Sequence, residues 1–280
     1  MIYRYFGNSG FKCSTIGMGT YYDMRWIFKT YIGIYSGKAA KIDAIKSGIE
    51  NGINLIDTAE FYKTEKLIAE AIKDYKRDEL FIATKVMPTH LSPKSMEKAL
   101  NRSLKNLNTD YIDLYQIHYP NYAVDLKKTL KKMEDLVDQG KIKNIGVSNF
   151  NLKLLNYTVE HLNKHKLTSV QLNYNILHRN VENEILEFCK KNNIALMAYF
   201  PIAHGKTLGN EKLNGYFDYI RNMIGDVPNA NISLSYLFSR NSNVFPIPRA
   251  SNKDHVMQNI KYSNTVLDEE IIDYIEKTFK

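Results

Sequence analysis

The chain has 280 residues, of which 44% are apolar and 24% charged, with a formal net charge of +8. Such a length buries enough surface to fold without disulfide or metal staples, and the composition excludes a disordered, collagen-like or membrane-spanning chain. The lysines are scattered over polar faces, as in Lys127-Lys128 and Lys131-Lys132, with no interleaved aromatics, so the charge predicts a solvated surface or a basic mouth for an anionic small molecule rather than a nucleic-acid partner.

The first residues, MIYRYFGNSG, lack the apolar core of a secretory leader. Instead, Ile2–Phe6 and Phe11–Ser14 flank Gly7-Asn8-Ser9-Gly10, whose residues tolerate positive φ, which predicts a β-hairpin placed to plug one end of a barrel. Eight short runs rich in β-branched residues then recur along the chain: Thr15–Gly19, Asn54–Thr58, Leu80–Val86, Asp113–His118, Asn144–Asn149, Ser169–Tyr174, Ile194–Tyr199 and Asn243–Pro248. Many are continuously apolar, as buried parallel strands are. Between them lie segments of helical periodicity. Ile42, Ile45 and Ile49 share a face, as do Leu67, Ile68, Ala71 and Ile72. Ser92-Pro93 reads as an N-cap followed by proline, opening a helix to Leu107. Further helices are expected over Leu126–Gln139, Leu152–Asn163, Val181–Asn192, Ile232–Ser239 and Asp268–Thr278. Eight successive β→α units predict a (β/α)8 TIM barrel with an N-terminal β-hairpin, one domain over residues 1–280; a doubly wound open sheet is the alternative. Two long segments, Tyr21–Lys38 and Ile202–Ala230, follow predicted strands and belong at the C-terminal face, where barrel enzymes build their sites. The aromatics of the first either pack that loop or line a substrate pocket.

Polar residues gather at the predicted strand ends. Asp57 ends the second strand, and Tyr62 follows five residues later; Lys85 lies near the end of the third, and His118 ends the fourth. Neighbouring strands are about 5 Å apart, so all four converge on one rim. Each alone has a bland reading as a cap, an ion-pair member or a packed ring. Together they form equipment for protonating an oxygen. A free phenol has a pKa near 10, and a nearby ammonium is expected to lower it. A carboxylate compensates that ammonium, and an imidazole orients a carbonyl.

Along nearly its whole length the chain resembles an aldo-keto reductase. The match is carried by Ile16-Gly17-Met18-Gly19-Thr20, Asn54–Tyr62, Thr84-Lys85, Gln116-Ile117-His118-Tyr119-Pro120, Gly146-Val147-Ser148-Asn149-Phe150, Gln171-Leu172-Asn173-Tyr174 and Ile247-Pro248-Arg249-Ala250-Ser251-Asn252. The resemblance implies a catalytic tetrad of Asp57, Tyr62, Lys85 and His118, with Tyr62 as proton donor and a nicotinamide supplying hydride to an aldehyde or ketone, reversibly. It also implies that Ser148, Asn149 and Gln171 hold the carboxamide, that Tyr199 stacks on the nicotinamide ring, and that Gly19, Thr20 and Asp57 approach the cofactor. Arg249, Ser251, Asn252 and His255 would face the adenosine 2′-phosphate, with Gln258 and Asn259 near the adenine. NADP(H) is then the preferred cofactor and NAD(H) the alternative. Tyr21, Trp26 and Tyr119 are the candidate substrate contacts. Three positions depart from the common pattern: Lys63-Thr64 replaces a glycine after Tyr62, His255 stands where arginine is frequent, and Ala250 replaces a serine.

Other readings fit less well. No Gly-x-Gly-x-x-Gly opens a helix, and no Gly-x-Ser-x-Gly is present. His161 and His165 lack the glutamate of a zinc protease, and Cys13 and Cys189 have no ligand spacing, so no metal is expected and both thiols are expected to be reduced. The expected protein is cytoplasmic, contacts no membrane, and is a monomer or homo-oligomer. The alternative from another class is a cofactor-binding regulatory subunit of a larger assembly with little turnover.

Overall fold

The computed structural model describes residues 1–206 and 211–279. Strands β1 (Tyr3–Tyr5) and β2 (Lys12–Ser14) form the expected antiparallel hairpin. Eight parallel strands follow in strict chain order: β3 (Met18–Gly19), β4 (Leu55–Asp57), β5 (Phe81–Val86), β6 (Ile112–Ile117), β7 (Ile142–Ser148), β8 (Leu167–Asn173), β9 (Ala195–Tyr199) and β10 (Val244–Pro246). The seam between first and last strands is closed by backbone bonds, Gly17 N to Pro246 O and Gly19 N to Pro248 O, both 2.9 Å. Glycine is required there: a Cβ on Gly19 would lie 2.7 Å from Ile247 O. The open sheet is thereby excluded, and the barrel is confirmed.

Two apolar layers hold the barrel. Leu55, Phe81, Ala83, Leu114, Ala195, Met197 and Phe245 fill its interior. Phe6 of the hairpin joins them, its ring 4.7 Å from Phe81 and 4.9 Å from Phe245. Gly7 (φ 51°) makes the turn that drives Phe6 inward, and Asn8 Nδ2 donates to Leu167 O (2.9 Å). The hairpin therefore plugs the N-terminal end. The outer layer, including Ile56, Ile82, Tyr115 and Val170, packs under the helices.

Those helices are α1 (Met24–Tyr31), α2 (Lys38–Glu50), α3 (Glu65–Ile72), α4 (Pro93–Leu107), α5 (Leu126–Asp138), α6 (Leu152–His161), α7 (Ile185–Asn192), α8 (Glu211–Ile224), α9 (Asn229–Arg240), α10 (Lys253–Lys261) and α11 (Glu269–Thr278). Helices α1 and α8 correct the reading of two irregular loops. Asp23 caps α1 by accepting from Trp26 N (2.6 Å), and α8 buries Phe217 and Ile220. Within the second long segment, 207–210 lies outside the described residues. Ser92 occupies the N-cap position of α4, but its side chain makes no cap bond; Pro93 alone marks that start.

Candidate active site

Strand alternation explains how the site assembles. Side chains two residues apart point to the same face. Leu55 and Asp57 therefore both face inward, as do Phe81, Ala83 and Lys85, and Leu114 with His118. The apolar members fill the barrel, and the last polar member of each series emerges at the C-terminal rim. Register fixes the heights: Asp57 pairs with Ala83, Lys85 with Gln116, and Ser148 with Gln171.

The fully buried Lys85 Nζ donates to Asp57 Oδ2 (2.7 Å) and Thr58 O (2.8 Å). Asp57 Oδ1 accepts from Gln171 Nε2 (2.8 Å). Burial acts against both charges, raising the Asp57 carboxyl and lowering the Lys85 ammonium, while each charge partly offsets the shift in the other.

Tyr62 ends a short 3-10 turn, Glu60–Tyr62. Two buried carboxylates anchor that turn to the next β/α unit. Glu60 accepts from Met87 N (3.2 Å), His90 Nδ1 (3.0 Å) and Arg102 Nη2 (2.7 Å). Burial would raise its carboxyl, yet Arg102, His90 and the Met87 amide hold it below the usual range. Glu65 accepts from Thr84 Oγ1 and Asn106 Nδ2, both 3.0 Å. Lys63, where glycine is common, adopts the left-handed conformation that glycine would provide (φ 59°). So held, the Tyr62 hydroxyl lies 3.4 Å from His118 Nε2, and Lys85 Nζ lies 4.8 Å from the centre of the Tyr62 ring.

The protonation states correct one expectation. Burial, reinforced by the Asp57 charge, pushes the Tyr62 phenol well above its ordinary value rather than below it. The Lys85 ammonium directs its hydrogen bonds to Asp57 and Thr58. Burial, then the Lys85 charge, drive His118 down to about 3, leaving a neutral imidazole at neutral pH. A neutral phenol and a neutral imidazole thus meet over a buried ion pair, an arrangement able to hold an oxygen and pass it a proton.

The residues expected around a nicotinamide are knitted to the same rim. Ser148 Oγ donates to Gln171 O (3.0 Å). Asn149 donates to His118 O (2.9 Å) and accepts from the Tyr199 hydroxyl (2.8 Å). Thr20 Oγ1 donates to Asp57 O (2.9 Å) and pairs with Thr64 (2.8 Å), beside Gly19. Of the substrate candidates, Tyr21 meets the Tyr62 ring edge-on at 5.2 Å, and Tyr119 stacks on His118 at 5.1 Å. Trp26 does not join them: it is buried under the α1 segment, its indole donating to Ser36 O (3.0 Å). Phe200, missed in the sequence, extends the aromatic wall, 6.0 Å from Tyr21 and 5.0 Å from Tyr199. Its position directly after a strand-end tyrosine was the available signal.

Farther along the rim, Arg249 is exposed and donates to Tyr22 O (2.8 Å). Asn252 caps α10, accepting from Asp254 N (2.7 Å) and His255 N (3.3 Å). Ser251, Gln258 and Asn259 are half-buried, and His255 is exposed. The donor set suits a nicotinamide dinucleotide: amides and a hydroxyl for a carboxamide, a ring face at Tyr199, and a guanidinium for phosphate. Among the described residues no group of histidine, cysteine or acidic side chains could hold a metal, and no helix is long and apolar enough to cross a membrane.

Comparison with known proteins agrees with this fold. Residues 16–280 match the model of the Aldo/keto reductase family. Aldo-keto reductase YhdN of Bacillus subtilis (strain 168) is 33% identical over 75% of this chain, a match that spans 64% of YhdN's own length. Methylglyoxal reductase YeaE of Escherichia coli (strain K12) is 32% identical over 80% of this chain and 79% of its own. The structure of the thermostable aldo-keto reductase Tm1743, solved with the inhibitor epalrestat, has a TM-score of 0.89 at 36% identity, covering 99% of this chain and 100% of that one. An aldo/keto reductase from Klebsiella pneumoniae, solved with NADP and acetate, has a TM-score of 0.83 at 28% identity, covering 98% and 94%. Fold and family model agree, and the chain belongs to the aldo/keto reductase family.

Proposed function

We propose that this protein is an NADP(H)-dependent reductase of aldehydes or ketones, acting reversibly, with Tyr62 as proton donor. The observation that carries this reading is the 3.4 Å approach of the Tyr62 hydroxyl to His118 Nε2 above the Lys85–Asp57 pair. A nicotinamide, when bound, supplies the hydride. The protein's own groups do the rest. His118, neutral because burial disfavours its cation, holds the carbonyl oxygen without competing for the proton. Tyr62, neutral for the same reason, gives its proton to that oxygen as negative charge builds there. Lys85 stabilises the phenolate left behind, and Asp57, braced by Gln171, keeps the ammonium in place. Ser148, Asn149 and Gln171 hold the carboxamide, Tyr199 the ring, and Gly19 and Thr20 the near wall. Arg249, with Ser251, Asn252 and His255, receives the adenosine phosphate, and Gln258 and Asn259 flank the adenine. Tyr21, Tyr119 and Phe200 surround the substrate with rings.

The relative named a methylglyoxal reductase and the relative solved with NADP support small carbonyl substrates and the phosphorylated cofactor. The test is turnover of a panel of aldehydes and ketones, methylglyoxal included, with NADPH and with NADH, followed by absorbance. Reduction of at least one aldehyde, faster with NADPH, is the expected result. Tight cofactor binding with no turnover across the panel would overturn it in favour of a regulatory subunit.

A further inference from the structure

We propose that Lys41 is a second cation of the anion-binding surface at Arg249 and thereby helps to select NADPH over NADH. This rests on the reading that Arg249 faces the adenosine ribose. Three observations bring Lys41 there. First, α2 packs along α10: a Cβ on Gly48 would lie 3.3 Å from Val256 Cγ1, and Asp43 lies 4.0 Å from Lys253 Nζ at the first residue of α10. Lys41 is on the same stretch of α2, two residues before Asp43. Second, Lys41 and Arg249 converge on one residue. Lys41 Nζ lies 4.8 Å from the centre of the Tyr22 ring, and Arg249 Nη1 donates to Tyr22 O at 2.8 Å. Burial draws the Lys41 ammonium below its ordinary value; Asp23 opposes this, and the neighbouring Arg249 guanidinium adds a smaller push in the same direction as burial. Third, the two cations differ from their neighbours in their pairing. Lys38, Lys46 and Lys253 on the surrounding surface are paired with Glu70, Asp74 and Asp43. Among the described residues neither Lys41 nor Arg249 forms an ion pair. Asp23, the nearby acid, accepts from Trp26 N as the cap of α1.

Two cations that meet at Tyr22, neither in an ion pair among the described residues and Lys41 offset at longer range by Asp23, favour an anion beside them. A 2′-phosphate supplies one; the ribose hydroxyl of NADH does not. Lys41 also donates to Ser36 O (2.8 Å), as the Trp26 indole does, so a purely structural role as a staple of the α1 segment is the competing account. The two accounts differ in selectivity. A staple supports both cofactors alike, whereas a phosphate contact supports one.

The experiment is calorimetric titration of the whole protein with NADP+ and NAD+, comparing wild type, Lys41→Met, Lys41→Gln, Lys41→Arg and Arg249→Ala. Lys41→Gln retains a donor for Ser36 O and covers the case in which Lys41→Met fails to fold. Loss of one charge-assisted contact at a half-exposed site weakens NADP+ by about tenfold. NAD+ should stay within about twofold, and Lys41→Arg should retain most of the NADP+ affinity. Equal weakening of both cofactors, or no change in either, while Arg249→Ala remains selective against NADP+, overturns the role of Lys41 and leaves that of Arg249 standing. If Arg249→Ala is also unselective, the reading of the whole surface fails.

Discussion

The proposed role of Tyr62 as proton donor rests on its neutrality, with burial and the Asp57 charge both opposing ionisation. Tyr62→Phe keeps the ring and removes the proton. Turnover should fall at least about a hundredfold, the low end for a general acid, with the cofactor dissociation constant unchanged. Single-turnover kinetics and cofactor titration check both halves, and near wild-type turnover would refute the role. Lys85→Met leaves the Asp57 carboxylate buried with Gln171 as its remaining side-chain bond. Removing one partner of a buried pair costs about 3–5 kcal/mol, less whatever Asp57 recovers by taking a proton. A lower urea midpoint together with collapsed reduction is expected; loss of stability with normal turnover would make Lys85 structural only. His118 carries a pH signature. Its folded value of about 3 lies below the ordinary 6.5, so across that window the unfolded chain binds more protons. Stability from this group is therefore present above about pH 6.5 and is lost as pH falls toward about 3. Denaturant titrations through that range should show a shallower acid decline in His118→Gln than in wild type; identical slopes would sink the assignment.

Among elements, the hairpin and the Tyr62 turn do the positioning. The hairpin works through Gly7, whose φ is 51° and whose added Cβ would lie 2.6 Å from Thr168 O and 2.8 Å from Ala195 N. Those neighbours are backbone atoms of barrel strands or of their immediate ends and cannot step aside. Gly7→Ala should therefore destabilise by about 1–3 kcal/mol through overpacking and left-handed strain, and expose Phe6 from the barrel interior. Thermal unfolding measures it, and an unchanged midpoint would mean that the plug is dispensable. The Tyr62 turn was only partly legible. Asp57 and Tyr62 stood out by residue type, but nothing local marked Glu60 and Glu65 as buried. Their burial depends on Arg102 and Asn106, some forty residues away on α4. Helices α1 and α8 were hidden for a related reason. In α1, Trp26, Ile27 and Thr30 are buried while Phe28 and Tyr31 remain exposed, so apolarity does not mark the inner face.

At the scale of the molecule, a net charge of +8, with Arg249 and Lys41 both at Tyr22, favours an anionic cofactor. A charge-assisted bond from Arg249 to a 2′-phosphate would contribute about 1.5–3 kcal/mol, which corresponds to roughly ten- to hundredfold discrimination. The NADPH-to-NADH ratio of kcat/KM should therefore favour NADPH, shrink with added salt, and collapse in Arg249→Ala. Measuring that ratio at low and high ionic strength decides the matter: a wild-type preference for NADH, or an Arg249→Ala variant that loses both cofactors equally, removes Arg249 from phosphate recognition.

The sequence by itself determined the barrel and the plug, and it placed Asp57, Lys85 and His118 at strand ends, because each of these is written in local terms. Parallel strands buried on both faces read as apolar runs, and a polar residue ending such a run has to emerge at the rim. Most of the helices between strands followed from turn residues and helical spacing, α1 and α8 excepted. Tertiary structure alone decided the charge states and the partners. The phenol of Tyr62 is raised because the folded barrel removes water from it and sets Asp57 nearby, a balance that no spacing reveals. Trp26 packs inward because Ser36, ten residues later, accepts its indole. Lys41 approaches Arg249 because α2 and α10, at opposite ends of the chain, pack together beside the seam where the first and last barrel strands meet. Desolvation and long-range packing are properties of the closed barrel, and they are fixed only once its ends have met.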